Sequence, residues 1–507
     1  MLSTVPESLP TLPWTVTLPL DLLRCPTCPV GTVPLTPDGG DWLAGACGHR
    51  FPVRDTIPVL LPGEERCGDP TAGAVDPPEQ RRPPGLDLSV IIPALREEAN
   101  LRGLLPQLAS TLEATGAGYE ILLVVGPDDV ATQRLATVLG DRVRTLAEDG
   151  RGYGSAVRTG IRAARGRYVV TMDSDYSHPP DFLRAMWDQR HAADLLVASR
   201  YVAGGRATMP LTRTILSRTL NLVFRRGLSI RVRDMSSGYR LMRADAIRGL
   251  TLHARDFDLV QELLVKAYCA GWRVAEMPFH YRPRQHGRSH VALLRFGIAY
   301  LRSFRRLWTL RNSIAAADYD DRAYDSVVPL QRYWQRTRFR HVTTLIGGQG
   351  AVLDVGCGSS RIIGALPSGS VALDVLLHKL RHARRFGVPT VCASGFALPF
   401  ADRSFPCVLS SEVIEHVSKD SPMLDELCRV LAPGGRLVLG TPDYASRLWR
   451  VLEAIYGRVA PGGYACEHIS HYTRPELLAT MAAKGLVFEG GHSILGAEMI
   501  LAFRKPR

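Results

Sequence analysis

The chain has 507 residues, of which 46% are hydrophobic and 22% charged. That length exceeds what one core serves and the composition is that of a globular protein, so two or three domains are expected and a fibrous or disordered chain is excluded. No apolar run is long enough to span a bilayer, the start "MLSTVPESLPTLPW" lacks the basic-then-apolar order of a signal peptide, and the net charge of +13 favours phosphate-bearing partners.

In chain order, residues 1–62 read as a small module, 63–85 as a Pro/Gly-rich polar linker, 86–311 as a middle domain and 327–507 as a last domain. Ten cysteines are scattered, and only Cys25 and Cys28 form a spaced pair. That usage argues against a disulfide framework and for a reducing cytoplasm. Two cysteines two residues apart can grip a tetrahedral metal ion, with Cys47 as a third ligand. The stretch "CGHRFPVRDTIPVLLP" resembles a small zinc-ribbon family. Where that family carries a further cysteine this chain has Ala44, so the resemblance implies a Zn²⁺ site completed by His49 or Cys67. A ribbon held by packing alone, serving as a docking module, is the alternative.

The middle domain opens with "LSVIIPA", a buried strand. A helix follows with Leu101, Leu104, Leu105 and Leu108 on one face. "YEILLVV", "RVRTLAE" and "GRYVVTM" are further strands, and their alternation with helices predicts a largely parallel α/β sheet with ligands beyond the strand ends. Asp173 and Asp175, in "TMDSDYSHPP", stand at such an end. Further on, "VALLRFGIAYLRSFRRLWTLR" interleaves apolar residues with Arg295, Arg302, Arg305 and Arg306 at helical spacing. It is too charged to cross a membrane and suits an anionic bilayer surface. The arginines carry no aromatic-rich RNA-binding signature, so nucleic acid is not the expected partner.

Six stretches, including "GRGYGSAVRTGIRAARGRYVVTMDSDYSHPPDFL", "RDMSSGYRLMRADAI" and "RPRQHGRSH", occur in the order found in family 2 inverting glycosyltransferases, and the region most resembles the polyprenyl-phosphate sugar transferases. The resemblance implies a GT-A type fold using a nucleotide-sugar donor, Mg²⁺ or Mn²⁺, and a polyprenyl phosphate or glycan-like acceptor. Asp173 and Asp175 would hold the metal and diphosphate, with Asp234 beside the site and Arg284 on a loop closing over the diphosphate. Pro93, Glu97, Gln261 and Glu262 fall at donor positions; Arg200, Arg213 and Ser217 fall at acceptor-phosphate positions. The family's "DDGS", which reads the nucleoside, is replaced by Gly126-Pro127-Asp128-Asp129.

The last domain begins "AVLDVGCGSSRIIGAL", a strand running into a glycine loop and helix, with Asp374 ending the next strand. With "ALPFADRSF", "VLSSEVIEHV" and "LAPGGRLVLGTPDY" it resembles the class I S-adenosylmethionine-dependent methyltransferases and their Rossmann-like fold. That implies cofactor contacts from Asp354, Gly356, Gly358, Asp374 and Ser394. It also implies a methyl acceptor near His416, His468 and His471, where a histidine would act as base.

The resulting expectation is an α/β multidomain, bifunctional transferase, cytoplasmic and peripheral at the inner membrane face. Two alternatives stay open: a non-catalytic transferase-like scaffold presenting the acceptor, and an RNA or protein methyltransferase with a ribbon docking module.

Overall fold

The computed structural model describes residues 20–28, 32–38, 41–61, 66–67, 85–138, 142–282, 293–459 and 468–507. They form two compact units. One is continuous, its described part running from residue 85 to Arg311. The other joins residues 20–67 to Asn312–Arg507.

The discontinuous unit begins with a meander of β1 (Leu35–Pro37), β2 (Trp42–Gly45), β3 (His49–Arg54) and β4 (Ile57–Leu60), with β5 (Arg66–Cys67) pairing β3. Asp55 and Thr56, with φ of 54° and 65°, make the tight turn between β3 and β4. A hairpin turn of this hand needs positive φ at both residues to match the strand twist.

The continuous unit carries β6 (Leu88–Ala94), β7 (Tyr119–Val125), β8 (Val143–Ala147), β9 (Tyr168–Thr171), β10 (Leu195–Ser199), β11 (Arg206–Ala207), β12 (Arg240–Arg243), β13 (Val274–Pro278) and β14 (His280–Tyr281). Seven of these form one sheet in the order β13-β10-β12-β9-β6-β7-β8. Only β12 runs antiparallel to its neighbours. All seven residues of β7 are buried, as expected of a strand covered on both faces. Helix Glu98–Glu113 buries Leu101, Leu104, Leu105 and Leu108, the predicted face. Helices Leu211–Gly227 and Leu293–Arg311 meet where Phe224 packs on Tyr300 and Phe304. A β-carbon at Gly227 would lie 2.5 Å from Phe304, so that crossing requires glycine.

The chain then returns to the discontinuous unit through β15 (Val352–Val355), β16 (Val371–Asp374), β17 (Thr390–Ala393), β18 (Phe405–Ser411), β19 (Leu431–Pro442), β20 (Val487–Ile494) and β21 (Glu498–Arg504). The sheet runs β1-β2-β3-β4-β17-β16-β15-β18-β19-β21-β20. The sequence reading sets residues 1–62 apart as a module of their own. In the structure β4 instead pairs in parallel with β17, Val59 opposite Cys392 and Leu60 opposite Ala393. Leu23, Phe51 and Leu60 are fully buried in one core with Leu398, Phe400 and Phe405. An apolar strand such as "IPVL" and an open edge at β17 each need a partner, and they satisfy one another. Arg381 clamps the join by an ion pair to Asp55 at 2.8 Å.

Phe51→Ala in the full chain is expected to cost about 3–5 kcal/mol and to lower the melting of the discontinuous unit by roughly 10 °C. Hydrogen exchange in β16 and β17 is the check. Protection there unchanged from wild type would mean that the meander folds apart.

Candidate functional site

In the continuous unit, β9 ends at Thr171, and Asp173 and Asp175 follow in a turn in which Tyr176 has a φ of 64°. Asp175 is buried, while the Asp173 side chain is 27% exposed, with its Oδ2 3.7 Å from His178 Nε2. Asp175 Oδ1 accepts the Ser177 N–H at 3.1 Å. His178 Nδ1 accepts the Asp173 N–H at 2.9 Å, and the ring stacks on Tyr239 at 4.8 Å. Burial lowers the His178 pKa, keeping the ring neutral and able to accept that bond. A β-carbon at Gly238 would lie 2.8 Å from the Tyr153 hydroxyl and 3.8 Å from Asp173 Oδ1, so glycine keeps the space over the carboxylates open. Two hard oxygen donors at a strand end, one of them half-buried, suit Mg²⁺ or Mn²⁺. His178 is a brace that sequence reading missed, although its place beside the aspartates was a signal.

Other expected donor contacts divide. Gln261 is buried with Oε1 lacking a hydrogen-bond partner, so it retains an open acceptor. Glu262 instead accepts the N–H groups of His253 and Ala254 and pairs with Lys266 at 2.7 Å, acting as a strut for that loop. Pro93 lies near the end of β6, and Glu97 accepts from the Asn100 amide. Asp129 caps helix Val130–Val138 through Thr132 and accepts the Arg96 N–H at 2.7 Å. Asp128 is exposed. Arg284 lies outside the described residues.

Around the expected acceptor site, Asp234 is completely buried and takes Arg200 in a two-pronged pair, both contacts 2.7 Å. Burial opposes its charge, but the Arg200 guanidinium outweighs that and holds Asp234 below the usual carboxylate range. Arg200 is therefore already matched by a carboxylate. The structure makes it a brace, and its guanidinium also lies 5.6 Å from the Tyr281 ring centre. Ser217 accepts from the Tyr201 hydroxyl at 2.8 Å, and Arg213 is exposed. A cavity of about 440 Å³ opens here, lined by Arg200, Arg218, Asn221, Arg225 and Arg233. Burial, then the charges of Asp173 and Asp175, raise the Tyr281 hydroxyl pKa, while the Arg200 guanidinium lies against its ring.

In the discontinuous unit, Gly356 and Gly358 have φ of 76° and 54° in the loop after β15. A β-carbon at Gly356 would strike Val413 at 2.3 Å. Asp374 accepts the Gly358 and Leu376 N–H groups, each at 2.8 Å. Burial, aided by the charge of Asp374, pushes Asp354 up to about 8, a site that favours a cationic ligand group. Ser394 Oγ accepts the Phe396 N–H and shapes a turn. Sequence reading missed Asp320, which reaches the Ser359 N–H at 3.1 Å and Lys379 at 2.8 Å across the glycine loop. It stands in "DYDDRAYDS", which reads as a break between domains. At the far end, the His416 and His468 rings lie 4.9 Å apart, and the exposed His471 stacks on Tyr444 at 4.1 Å.

In the meander, one ligand atom each from Cys25, Cys28, Cys47 and His49 lies within 4.8 Å of the others. His49 thus stands at the fourth position. The Cys67 side chain lies outside the described residues.

Residues 89–251 match the model of Glycosyl transferase family 2, and residues 353–439 that of a Methyltransferase domain. A polyprenol monophosphomannose synthase of Mycolicibacterium smegmatis is 32% identical over 247 residues, covering 46% of this chain and 89% of that protein. A dolichol-phosphate mannosyltransferase of Pyrococcus furiosus is 31% identical over 215 residues, and the match covers 41% of this chain and only 59% of that protein's length. A crystal structure of an S-adenosylmethionine-dependent methyltransferase of Thermotoga maritima aligns at 20% identity with a TM-score of 0.29, covering 36% of this chain and 98% of that one.

Asp234→Asn leaves the buried Arg200 charge unmatched and is expected to destabilise the continuous unit by about 3–5 kcal/mol at pH 7, read by urea denaturation. Because the folded pKa of Asp234 is depressed, this stabilisation is present above the unfolded carboxylate pKa and lost as pH falls through the folded one. The difference between wild type and variant should therefore shrink in acid.

Proposed function

The chain belongs to glycosyl transferase family 2 through residues 89–251, and from that premise we propose that it is a bifunctional transferase. One unit moves a sugar from a nucleotide-sugar to a polyprenyl phosphate, and the other methylates the product or a pathway neighbour from S-adenosylmethionine. The observation carrying the first half is the Asp173–Asp175 pair just past the end of β9, in the same unit as an arginine-lined cavity. The carboxylates would hold Mg²⁺ or Mn²⁺, which when bound neutralises the departing diphosphate. A phosphate acceptor is already ionised and needs no base. Arg218, Arg225 and Arg233 supply the charge that draws it into the cavity, and alignment with the sugar does the rest. Its oxygen takes the anomeric carbon from the face opposite the diphosphate, inverting that centre.

The acceptor's lipid supports a membrane-surface placement. No helix among the described residues is long and apolar enough to cross a membrane. Helix Leu211–Gly227 exposes Leu211, Ile215, Leu216 and Val223, and its partner Leu293–Arg311 exposes Ile298, Leu301 and Trp308. Arginines flank both rows, as an anionic bilayer surface requires. In the other unit, Asp354, Asp374 and the glycine loop would seat S-adenosylmethionine, which supplies an electrophilic methyl group. In the meander, Cys25, Cys28, Cys47 and His49 would hold a structural Zn²⁺.

The test combines a nucleotide-sugar panel, polyprenyl phosphate and labelled S-adenosylmethionine. Asp175→Ala is expected to reduce sugar transfer at least about 100-fold while leaving S-adenosylmethionine binding intact. Asp374→Ala should weaken S-adenosylmethionine roughly 10–100-fold by loss of charge-assisted hydrogen bonds, measured by calorimetry. The capping role of Asp129 favours a second reading, a scaffold that presents acceptor without reacting. Absence of nucleotide–metal binding in the wild type would select it.

A further inference from the structure

The far end of the methyltransferase site holds a cluster that cofactor binding does not use. Glu415 and His416 lie in the short turn after β18, and His468 lies beside them. One ligand atom from each falls within 4.8 Å of the other two. The group adjoins the cofactor loop, because Val413, two residues before Glu415, fills the space that Gly356 leaves.

Glu415 is completely buried. Its Oε2 accepts from Thr441 Oγ1 at 3.0 Å, but its Oε1 has no hydrogen-bond partner. A buried carboxylate oxygen left empty costs stability unless a proton or cation meets it. The nearby Arg338 is engaged elsewhere, at 2.9 Å from Glu412 and 2.6 Å from Glu498. His468 Nδ1 lies 2.7 Å from both Glu453 Oε1 and the Tyr444 hydroxyl. A carboxylate on one ring nitrogen is the outer-sphere arrangement that orients an imidazole to ligate metal through the other. One carboxylate and two imidazoles form a donor set for a borderline divalent ion such as Mn²⁺, Fe²⁺ or Zn²⁺, with positions left for a substrate oxygen.

We propose that Glu415, His416 and His468 bind a divalent cation that positions a hydroxyl-bearing methyl acceptor. This rests on the methyltransferase reading above. In the step it serves, the acceptor hydroxyl gives its proton to water and its oxygen lone pair forms the new O–CH₃ bond. The S–CH₃ bond breaks with its electron pair returning to sulfur, leaving a neutral thioether. An oxygen acceptor follows from the donor set, since cation binding lowers the pKa of a bound hydroxyl and would block an amine's lone pair.

The test is Mn²⁺ binding to the full chain by equilibrium dialysis, in an Asp175→Ala background so that the sugar-transferase carboxylates do not contribute. Mn²⁺ is chosen because thiolates of the meander favour softer ions. One equivalent is expected in that background, and none after Glu415→Gln or His416→Ala. Unchanged stoichiometry in a folded variant, or no Mn²⁺ bound before the second substitution, overturns the proposal. Should Glu415→Gln fail to fold, as judged by its melt, the half-buried His416→Ala and His468→Asn decide the matter. S-adenosylmethionine binding, measured on the same samples, separates this proposal from the methyltransferase reading. Its absence in the background protein would sink that reading, while its persistence alongside lost Mn²⁺ supports the cation site.

Discussion

A parallel strand can pair only after its chain has been carried back across the sheet, and that requirement organises both units. The return leaves the carboxyl ends of neighbouring strands side by side, with loops that carry no part of the ladder. β9 delivers Asp173 and Asp175 to such an edge, β15 and β16 deliver Asp354 and Asp374, and the segment after β18 delivers Glu415 and His416. The acids are gathered by the backbone against their own repulsion. Asp374 helps push Asp354 upward, and burial drives Glu415 up to about 8. Sites so arranged favour cationic ligands, which is what metal ions and a sulfonium provide.

The excess of basic residues does two different jobs. Arg200 and Arg338 are locked to buried carboxylates. Arg240 is fully buried, donates to the carbonyls of Met235, Ser237 and Val260, and is brought down to about 10 by burial. Arg311 is fully buried on the Leu228 carbonyl. These are internal braces, engaged within the fold. Among the described residues, Arg218, Arg225 and Arg233 instead line an open cavity, and Arg213 is exposed. A net charge of +13 thus overstates the electropositive surface.

The excursion of the chain from residue 67 to 312 has a physical consequence. The discontinuous unit completes its sheet only when two distant stretches meet, since β4 supplies the edge partner of β17 and Phe51 and Leu60 supply part of its core. Loop-closure entropy grows only slowly with length, so a long insertion between the two stretches is thermodynamically tolerable.

What the sequence by itself determined was local. Strand periodicity located β6, β7, β9 and β15, the apolar face of helix Glu98–Glu113 read directly, and the Asp-x-Asp and Gly-x-Gly spacings marked the loops at the strand ends. Those signals lie within a few residues of one another, where backbone geometry alone relates them. Only the tertiary structure decided which charges are matched. Asp234 lies 34 residues from Arg200 and Glu498 lies 160 from Arg338, and nothing local distinguishes such partners from solvated ones. It also decided that Glu262 and Asp129 are taken up by backbone N–H groups and by Lys266 and Thr132, that His49 joins the three cysteines, and that His468 meets Glu415. Burial and long-range pairing set whether a polar side chain braces the fold or faces a ligand, and both come into being only when the sheets close.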